Sequence, residues 1–194
     1  MQKALLLGGL LGGLVLFVWG SISWMVLPWH MMTFEKFKDE ATIAQALTAN
    51  ALRPGLHLLP NVHKHDPGMT EEQKKAEEAE GMKRMIQGPL MFASVTLQGF
   101  GGMGPALLIQ LVTGIVGAFL ATWLLLKTRP MSYWHRVGFL VVIALVVAVI
   151  AHVPYWNWWN FSTSYTAVTF ADLLIGWFLA SLVIAKLTPA TPGP

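Results

Sequence analysis

The sequence contains no cysteine, and this absence excludes several kinds of chemistry. A chain without cysteine forms no disulfide framework, no thiolate metal site and no cysteine nucleophile. Charged residues are also scarce: they make up 12% of the 194 residues, about half the share found in an ordinary soluble domain. The formal net charge of +3 is too small to indicate a nucleic-acid partner. These shortages exclude a disordered chain, a nucleic-acid-binding module and an ordinary cytosolic enzyme.

Recognisable catalytic motifs are missing as well. The sequence has no nucleophilic triad signature and no zinc-protease helix motif. The glycine-rich stretch 99–104 (GFGGMG) lacks the preceding strand and the Gly-Lys pair that a nucleotide site needs. No sustained internal repeat is present, which disfavours a transporter built from inverted repeats. The sequence therefore favours a protein that is not an enzyme.

Long apolar runs dominate the chain instead, and 55% of its residues are hydrophobic. Four runs are long enough to cross a hydrocarbon core of about 30 Å as helices: residues 4–27, 105–126, 137–156 and 165–185. We expect helices because every backbone polar group in lipid must be paired within its own segment. The sequence predicts an all-α, polytopic membrane protein with four transmembrane helices, the last three of which form a region over residues 105–194.

The first run also resembles a secretory signal peptide, since Lys3 precedes it and Ser21-Ile22-Ser23 has the small residues of a cleavage site. A signal peptide has an apolar region of only about 7–15 residues, however. The run over residues 4–27 is longer than that. It is therefore expected to stay as the first transmembrane helix, within a segment covering residues 1–27.

Basic residues beside the runs predict their orientation. Five of them lie on one side without any acidic residue: Lys3, Lys127, Arg129, Arg136 and Lys186. The opposite short connection, residues 157–164, has no charge. Because cytoplasmic loops carry the excess of Lys and Arg, both termini, including a short tail after residue 185, are expected in the cytoplasm. Residues 28–104 are then extracytoplasmic.

This extracytoplasmic segment is predicted to contain two helices. Apolar residues recur at spacings of three and four from Phe34 to Leu47, which predicts a first helix with Thr33 as its N-cap. Thr70 and Gln73 form a capping box that predicts the start of a second helix.

Two further stretches of this segment carry weaker signals. Residues 56–68 are predicted to be a loop, because Pro60-Asn61 and Asp66-Pro67-Gly68 are turn signals. Residues 90–97 are apolar but too short to span a membrane, which indicates a short interfacial helix. The alternative for 90–97 is a re-entrant loop, which requires a cavity because irregular backbone at depth must be shielded from lipid.

Small residues recur at four-residue spacing in two of the predicted spans. They are Gly8, Gly9, Gly12 and Gly13 in the first span and Gly114, Gly117, Ala118 and Ala121 in the second. Such faces let helix backbones approach closely in lipid. We therefore expect tight helix packing within the bundle, against a protein partner or against a second copy of the chain.

Asp172 is the only Asp, Glu, Lys or Arg inside the four predicted spans. A charge at this depth is costly and normally has a partner. His152 is the expected partner, because both residues lie equally far from the short connection between the third and fourth spans. The pair is either a proton or ligand site or a buried polar contact that sets the register of two helices.

The extracytoplasmic segment also holds a cluster of metal-ligating residue types: His57, His63, His65, Asp66 and Met69. Imidazole together with thioether suits copper. His30, at the membrane edge, adds a further imidazole. Copper is therefore the cofactor that this cluster would bind, and the alternative is a set of solvated loop residues with no cofactor.

Residues 20–30 (GSISWMVLPWH) and 58–61 (LLPN) resemble segments of small uncharacterised bacterial inner-membrane proteins. The resemblance extends over most of the chain. It implies a bacterial inner membrane, with residues 28–104 in the periplasm, and it implies no activity and no catalytic residue.

Two functional hypotheses follow. The leading one is a non-enzymatic inner-membrane protein that serves as an accessory or structural subunit and packs through its small-residue helix faces. The alternative is a small copper-binding or proton- or ion-handling membrane protein that uses His152 and Asp172 or the external histidines. The expected partners are the lipid bilayer and another membrane protein or a second copy, and no nucleic acid.

Overall fold

The structure, a computed structural model, describes residues 2–51, 53–62, 65–99 and 101–188. Within these ranges the chain forms six α-helices, one 3₁₀ turn and a two-stranded sheet. In chain order they are α1 (Gln2–Met25), the 3₁₀ turn (Met31–Thr33), α2 (Glu40–Asn50), β1 (Gly55–Leu59), α3 (Glu71–Gln87), β2 (Met91–Val95), α4 (Met103–Leu126), α5 (Tyr133–Trp159) and α6 (Thr163–Leu187).

Four of the helices, α1, α4, α5 and α6, are long and apolar enough to cross a membrane. This confirms the four predicted spans, each of which is a few residues longer or shifted at its ends. The connection between α5 and α6 is tight because Asn160 adopts the left-handed conformation, at φ 54°, and ends α5. Ser162 then caps α6 by accepting a hydrogen bond from the backbone N–H of Tyr165 at 3.2 Å.

The four long helices belong to one compact unit, Met1–Glu35 with Gly101–Pro194. In it α1 packs along α4 and α6, and α5 packs against α6. The core contains few large side chains; its buried members are Ala118, Ala121, Leu125, Leu140, Ala180 and Ile184. Close helix packing through small residues takes the place of a bulky apolar core.

Four glycines of α1, Gly8, Gly9, Gly12 and Gly13, are buried where this helix meets α4 and α6. A Cβ added at Gly13 would overlap the backbone of Ile115, and one at Gly8 would lie 2.6 Å from Thr122 Cγ2. Gly114 of α4 lies beside the carbonyl oxygen of Gly13. The small-residue faces of the first two spans therefore contact each other within one chain.

The second compact unit, Lys36–Phe100, contains α2, α3 and the sheet. Strands β1 and β2 are antiparallel, with Gly55 opposite Val95 and Leu59 opposite Met91. The structure thus has a strand where a short interfacial helix or re-entrant loop was predicted over residues 90–97, and β1 lies in the predicted loop 56–68. An eight-residue apolar run has no periodicity that separates helix from strand, and here pairing with β1 decides the outcome.

The first helix of this unit begins later than predicted. Helix α2 starts at Glu40, and its N-cap is Asp39, whose carboxylate accepts a hydrogen bond from the N–H of Thr42 at 3.0 Å. Thr33, the predicted cap, instead ends the 3₁₀ turn, and its hydroxyl donates to the carbonyl of His30 at 2.7 Å. The hydroxyl of Thr33 therefore stabilises the 3₁₀ turn and does not cap α2.

The second helix of the unit begins as predicted. The side chain of Gln73 accepts a hydrogen bond from the N–H of Thr70 at 2.8 Å, and Thr70 Oγ1 accepts from the N–H of Gln73 at 3.3 Å. The capping box is therefore confirmed at the start of α3. Gly88, at φ 77°, ends the helix.

Candidate functional site

The residues that follow α1 fold back onto its last turns. Helix α1 ends at Met25, before Pro28, as expected because the residue before a proline avoids the helical conformation. Trp29 then donates its indole N–H to Ser23, with its Nε1 3.0 Å from Oγ and 3.2 Å from the carbonyl oxygen. This return of the chain brings His30 beside the last turns of α1.

His30 is enclosed by aromatic rings and is 1% exposed. Its imidazole stacks on the indole of Trp24, with ring centroids 3.8 Å apart and planes inclined by 11°. Trp29 meets the same imidazole edge-on at 5.4 Å. The ring of His30 is thereby held in one orientation.

The side chain facing His30 is the carboxylate of Asp172, which comes from α6. His30 Nε2 lies 3.3 Å from Asp172 Oδ2 and 3.0 Å from Ser23 Oγ. The Asp172 side chain is 17% exposed. His30 Nδ1 is buried and has no hydrogen-bond partner within the described residues. These contacts favour a proton on Nε2 and leave Nδ1 as the position that can accept a second one.

Trp19 holds the other oxygen of the carboxylate. Its Nε1 donates to Asp172 Oδ1 at 2.7 Å and also lies 3.1 Å from the backbone oxygen of Asp172. The indole reaches this position because Gly176 of α6 lacks a side chain: a Cβ there would lie 2.8 Å from Trp19 Cδ1. Asp172 is therefore oriented by donors from both α1 and the segment after it.

Ser23, His30 and Asp172 are the residue types of a hydrolytic triad, but their geometry differs from one. In such a triad the serine and the carboxylate contact different nitrogens of the imidazole, so that the base can take the serine proton while the carboxylate holds the ring. Here both groups contact Nε2. The arrangement is therefore not built to activate Ser23 as a nucleophile.

A cavity of about 620 Å³ adjoins the carboxylate. It lies among α1, α4 and α6, and Asp172 is the one charged residue among the described residues that line it. Most of the wall is apolar or aromatic, including Trp24, Met25, Met103 and Trp177. The site is therefore a partly buried carboxylate on the wall of a mostly apolar cavity.

The structure does not bring His152 and Asp172 together, although the sequence analysis paired them. His152 lies in a separate cavity of about 230 Å³ with Tyr155, Tyr165 and Thr169 among its lining residues. Its Nε2 is buried and has no hydrogen-bond partner among the residues that the structure describes. The two residues share a depth in the bundle, but Asp172 faces α1 and the segment after it.

The described members of the predicted copper cluster lie in β1 and in the segment before α3. His57 lies in β1 and has its Nε2 3.2 Å from the carbonyl oxygen of Arg53. His65 contacts two carboxylates of α3, with Nδ1 3.0 Å from Glu77 and Nε2 3.2 Å from Glu78.

Two of the other predicted ligands lie in the turn that precedes α3, where the N–H of Met69 is bonded to the carbonyl of Asp66 at 3.4 Å. His63 lies outside the described residues. No group of three His, Asp or Glu side chains in the described ranges is arranged to hold a metal ion. Copper binding stays a prediction.

The two contacts of His65 have an electrostatic consequence. Its hydrogen bond with Glu77, followed by that with Glu78, raises the pKa of the imidazole above its ordinary value. His65 is therefore an ion-pair partner of α3.

Comparison with protein-family models, with curated proteins and with solved structures gives no match to this chain. The sequence identified Asp172 by its depth, but His30 was predicted only as a member of the copper cluster. The contacts of Trp19 with Asp172 and of Ser23 with His30 were not predicted. The Pro-Trp-His sequence directly after the first span is the signal that points to a return of the chain at this end.

Proposed function

We propose that this chain is a non-enzymatic, multi-pass inner-membrane protein that takes up and releases a proton at the pair formed by His30 and Asp172. The observation that carries the proposal is the 3.3 Å contact between a buried imidazole and the only acidic residue in the four long helices. This is the proton-handling hypothesis of the sequence analysis, with His30 in the place of His152.

The chemistry of the pair supports proton exchange. An ionisable residue within a transmembrane segment is costly and typically marks an ion or proton pathway. Imidazole is the side chain whose ordinary pKa lies nearest to physiological pH. A proton added at Nδ1 of His30 would give an imidazolium facing the carboxylate of Asp172, so that the two charges compensate each other.

The flanking charges support a periplasmic position for this site. Five basic residues lie at the end of the bundle opposite His30, as set out in the sequence analysis, and they favour cytoplasmic termini. His30 and the start of α6 would then lie towards the periplasm, and the bacterial inner membrane follows from the resemblance of residues 20–30 and 58–61. The pair would exchange its proton with the periplasmic side.

The small-residue faces bear on the accessory-subunit hypothesis. Gly8, Gly12 and Gly13 are buried against α4 and α6 of their own chain. The contacts within the chain account for the burial of these glycines, so the proposal does not rest on a partner at these faces. The experiment below includes a result that would favour an accessory subunit.

A fluorescence titration of the full chain in lipid nanodiscs tests the proposal. The indole of Trp24 stacks on His30, so a proton taken up by this imidazole changes the emission of that indole. We expect a titration step that His30→Gln abolishes and Asp172→Asn alters. His152→Gln is the matched control, since His152 lies in another cavity, and it should keep the step.

Two results would contradict proton handling. One is an emission profile of His30→Gln identical to that of the unmodified chain. The other is the same loss of the step in His152→Gln, which would place the titrating group elsewhere. The first result, combined with co-purification of the chain at fixed stoichiometry with a larger complex, would favour the accessory subunit.

A further inference from the structure

We propose that the cavity among α1, α4 and α6 binds a monovalent organic cation with an apolar body, and that Asp172 is the group that attracts it. The inference deepens the proposed function, because it names a ligand for the same site, and it rests on that function for the role of Asp172. It would make the protein a carrier or sensor of lipophilic cations.

The size of the cavity suits a small organic molecule. Its volume of about 620 Å³ falls within the roughly 300–1,000 Å³ typical of ligand pockets. Gly20, Gly114 and Gly117 are among the residues that line the cavity and contribute no side chains to it. A Cβ at Gly20 would meet nothing within 4 Å, so this residue borders free space.

The charge of the wall selects the sign of the ligand. Among the described residues that line the cavity, Asp172 is charged and none is Lys or Arg. Asp172 Oδ1 accepts a hydrogen bond from Trp19, and Oδ2 faces His30. Because the two oxygens of a carboxylate offer about four acceptor positions, Asp172 can bind a further partner. While His30 is neutral, one negative charge at depth stays without a cationic partner, and a cation would compensate it.

The rest of the wall selects an apolar, polarisable body. Trp24 and Trp177 supply aromatic surfaces, and cations are attracted to the faces of such rings. Met25 and Met103 supply flexible thioethers that adapt to ligands of different shape. Trp24 also stacks on His30, so an occupant of the cavity would touch a ring that contacts the proton site.

A pair of probes with nearly the same shape and opposite charge tests the proposal directly. Tetraphenylphosphonium and tetraphenylborate are offered to the full chain in nanodiscs of zwitterionic lipid, and binding is followed by isothermal titration calorimetry at neutral pH. We expect saturable binding of the phosphonium and none of the borate. Asp172→Asn should weaken phosphonium binding by about tenfold or more, since it removes the partly buried charge.

A second variant keeps the test decisive if Asp172→Asn fails to fold. Gly20→Leu adds a side chain to the cavity from α1 and leaves Asp172 in the chain, and it should also abolish phosphonium binding. Gly138→Leu is the matched control: it makes the same change on α5, where a Cβ likewise meets nothing within 4 Å, and it should bind as the unmodified chain does.

Three results would overturn the inference. They are equal binding of the two probes, unchanged binding in Asp172→Asn, and no saturable binding of the phosphonium. Equal binding of the two probes would show that the cavity binds apolar molecules, such as a lipid chain, whatever their charge. None of these results affects the fluorescence step of His30, so the failure of this inference and the failure of proton handling can be told apart.

Discussion

His30 Nε2 and Asp172 Oδ2 lie 3.3 Å apart, although the two residues come from opposite ends of the chain. The contact joins the segment after α1 to the middle of α6. Asp172 is nine residues into α6, which places it about 14 Å from the start of the helix at 1.5 Å per residue. A buried imidazole that faces a carboxylate at this depth, beside a cavity, is the feature on which the functional account depends.

Trp19→Phe should destabilise the bundle while keeping the aromatic ring. The change removes the indole N–H that donates to Asp172 Oδ1 at 2.7 Å. A hydrogen bond to a charged group contributes about 1.5–3 kcal/mol, so we expect a clearly lower midpoint of thermal unfolding in detergent. Trp158→Phe is the control, because Trp158 is 74% exposed. Equal midpoints for the two variants would argue against the Trp19–Asp172 bond.

Gly13→Ala should disrupt the packing of α1 on α4. The added methyl group would overlap the backbone of Ile115, and overpacking of this kind costs about 1–3 kcal/mol. We expect a lower unfolding temperature in detergent. Gly138→Ala adds the same methyl group to α5, where it meets nothing within 4 Å, and should leave the temperature unchanged or raise it. The account of the small-residue faces fails if Gly13→Ala is as stable as Gly138→Ala.

Glu77→Gln should lower the pKa of His65. The hydrogen bond with Glu77 is the main cause of the raised pKa, and the substitution removes its charge. Carbon-13 NMR of histidine-labelled full chain, with the His65 signal assigned through His65→Gln, measures the change. Glu80→Gln is the matched control on α3, since Glu80 pairs with Lys83 at 3.5 Å, and it should leave the pKa of His65 where it was.

The same ion pair predicts a direction for the pH dependence of stability. Because the folded state raises the pKa of His65, its stabilising contribution is fully present below the ordinary histidine pKa, about 6.5. It is lost as the pH rises through the folded-state pKa. In Glu77→Gln this part of the pH dependence should shrink, and a pH profile of thermal stability unchanged by the substitution would contradict the assignment.

The helical part of the fold could be predicted because it depends on local properties. Length and hydropathy define the four spans, and the capping box of Thr70 and Gln73 defines the start of α3. Strand β2 could not be predicted, since residues 91–95 become a strand by pairing with residues 55–59, far away in sequence. The start of α2 was predicted too early, because Thr33 was expected to cap the helix and Asp39 caps it instead.

The site could be predicted only in part, for a geometric reason. Depth along a helix follows from counting residues, and this identified Asp172 as an unusual charge within a predicted span. The direction of a side chain around the helix axis depends on which neighbours pack against it. His152 lies at the matching depth in α5, but Asp172 faces Trp19 and His30, and that orientation follows from the packing of α1 on α6.

Infrared spectroscopy of Asp172 tests the central claim most directly. The chain has three aspartates, Asp39, Asp66 and Asp172, so carbon-13 labelling of aspartate followed by subtraction of the Asp172→Asn spectrum isolates the carboxyl of interest. The account predicts that this carboxyl shows bands that change as a pH titration of the full chain in nanodiscs protonates the pair, and that His30→Gln alters the change. A carboxyl band of Asp172 that is constant across the titration, or that His30→Gln leaves as it was, would contradict the claim that the two residues act as one proton site.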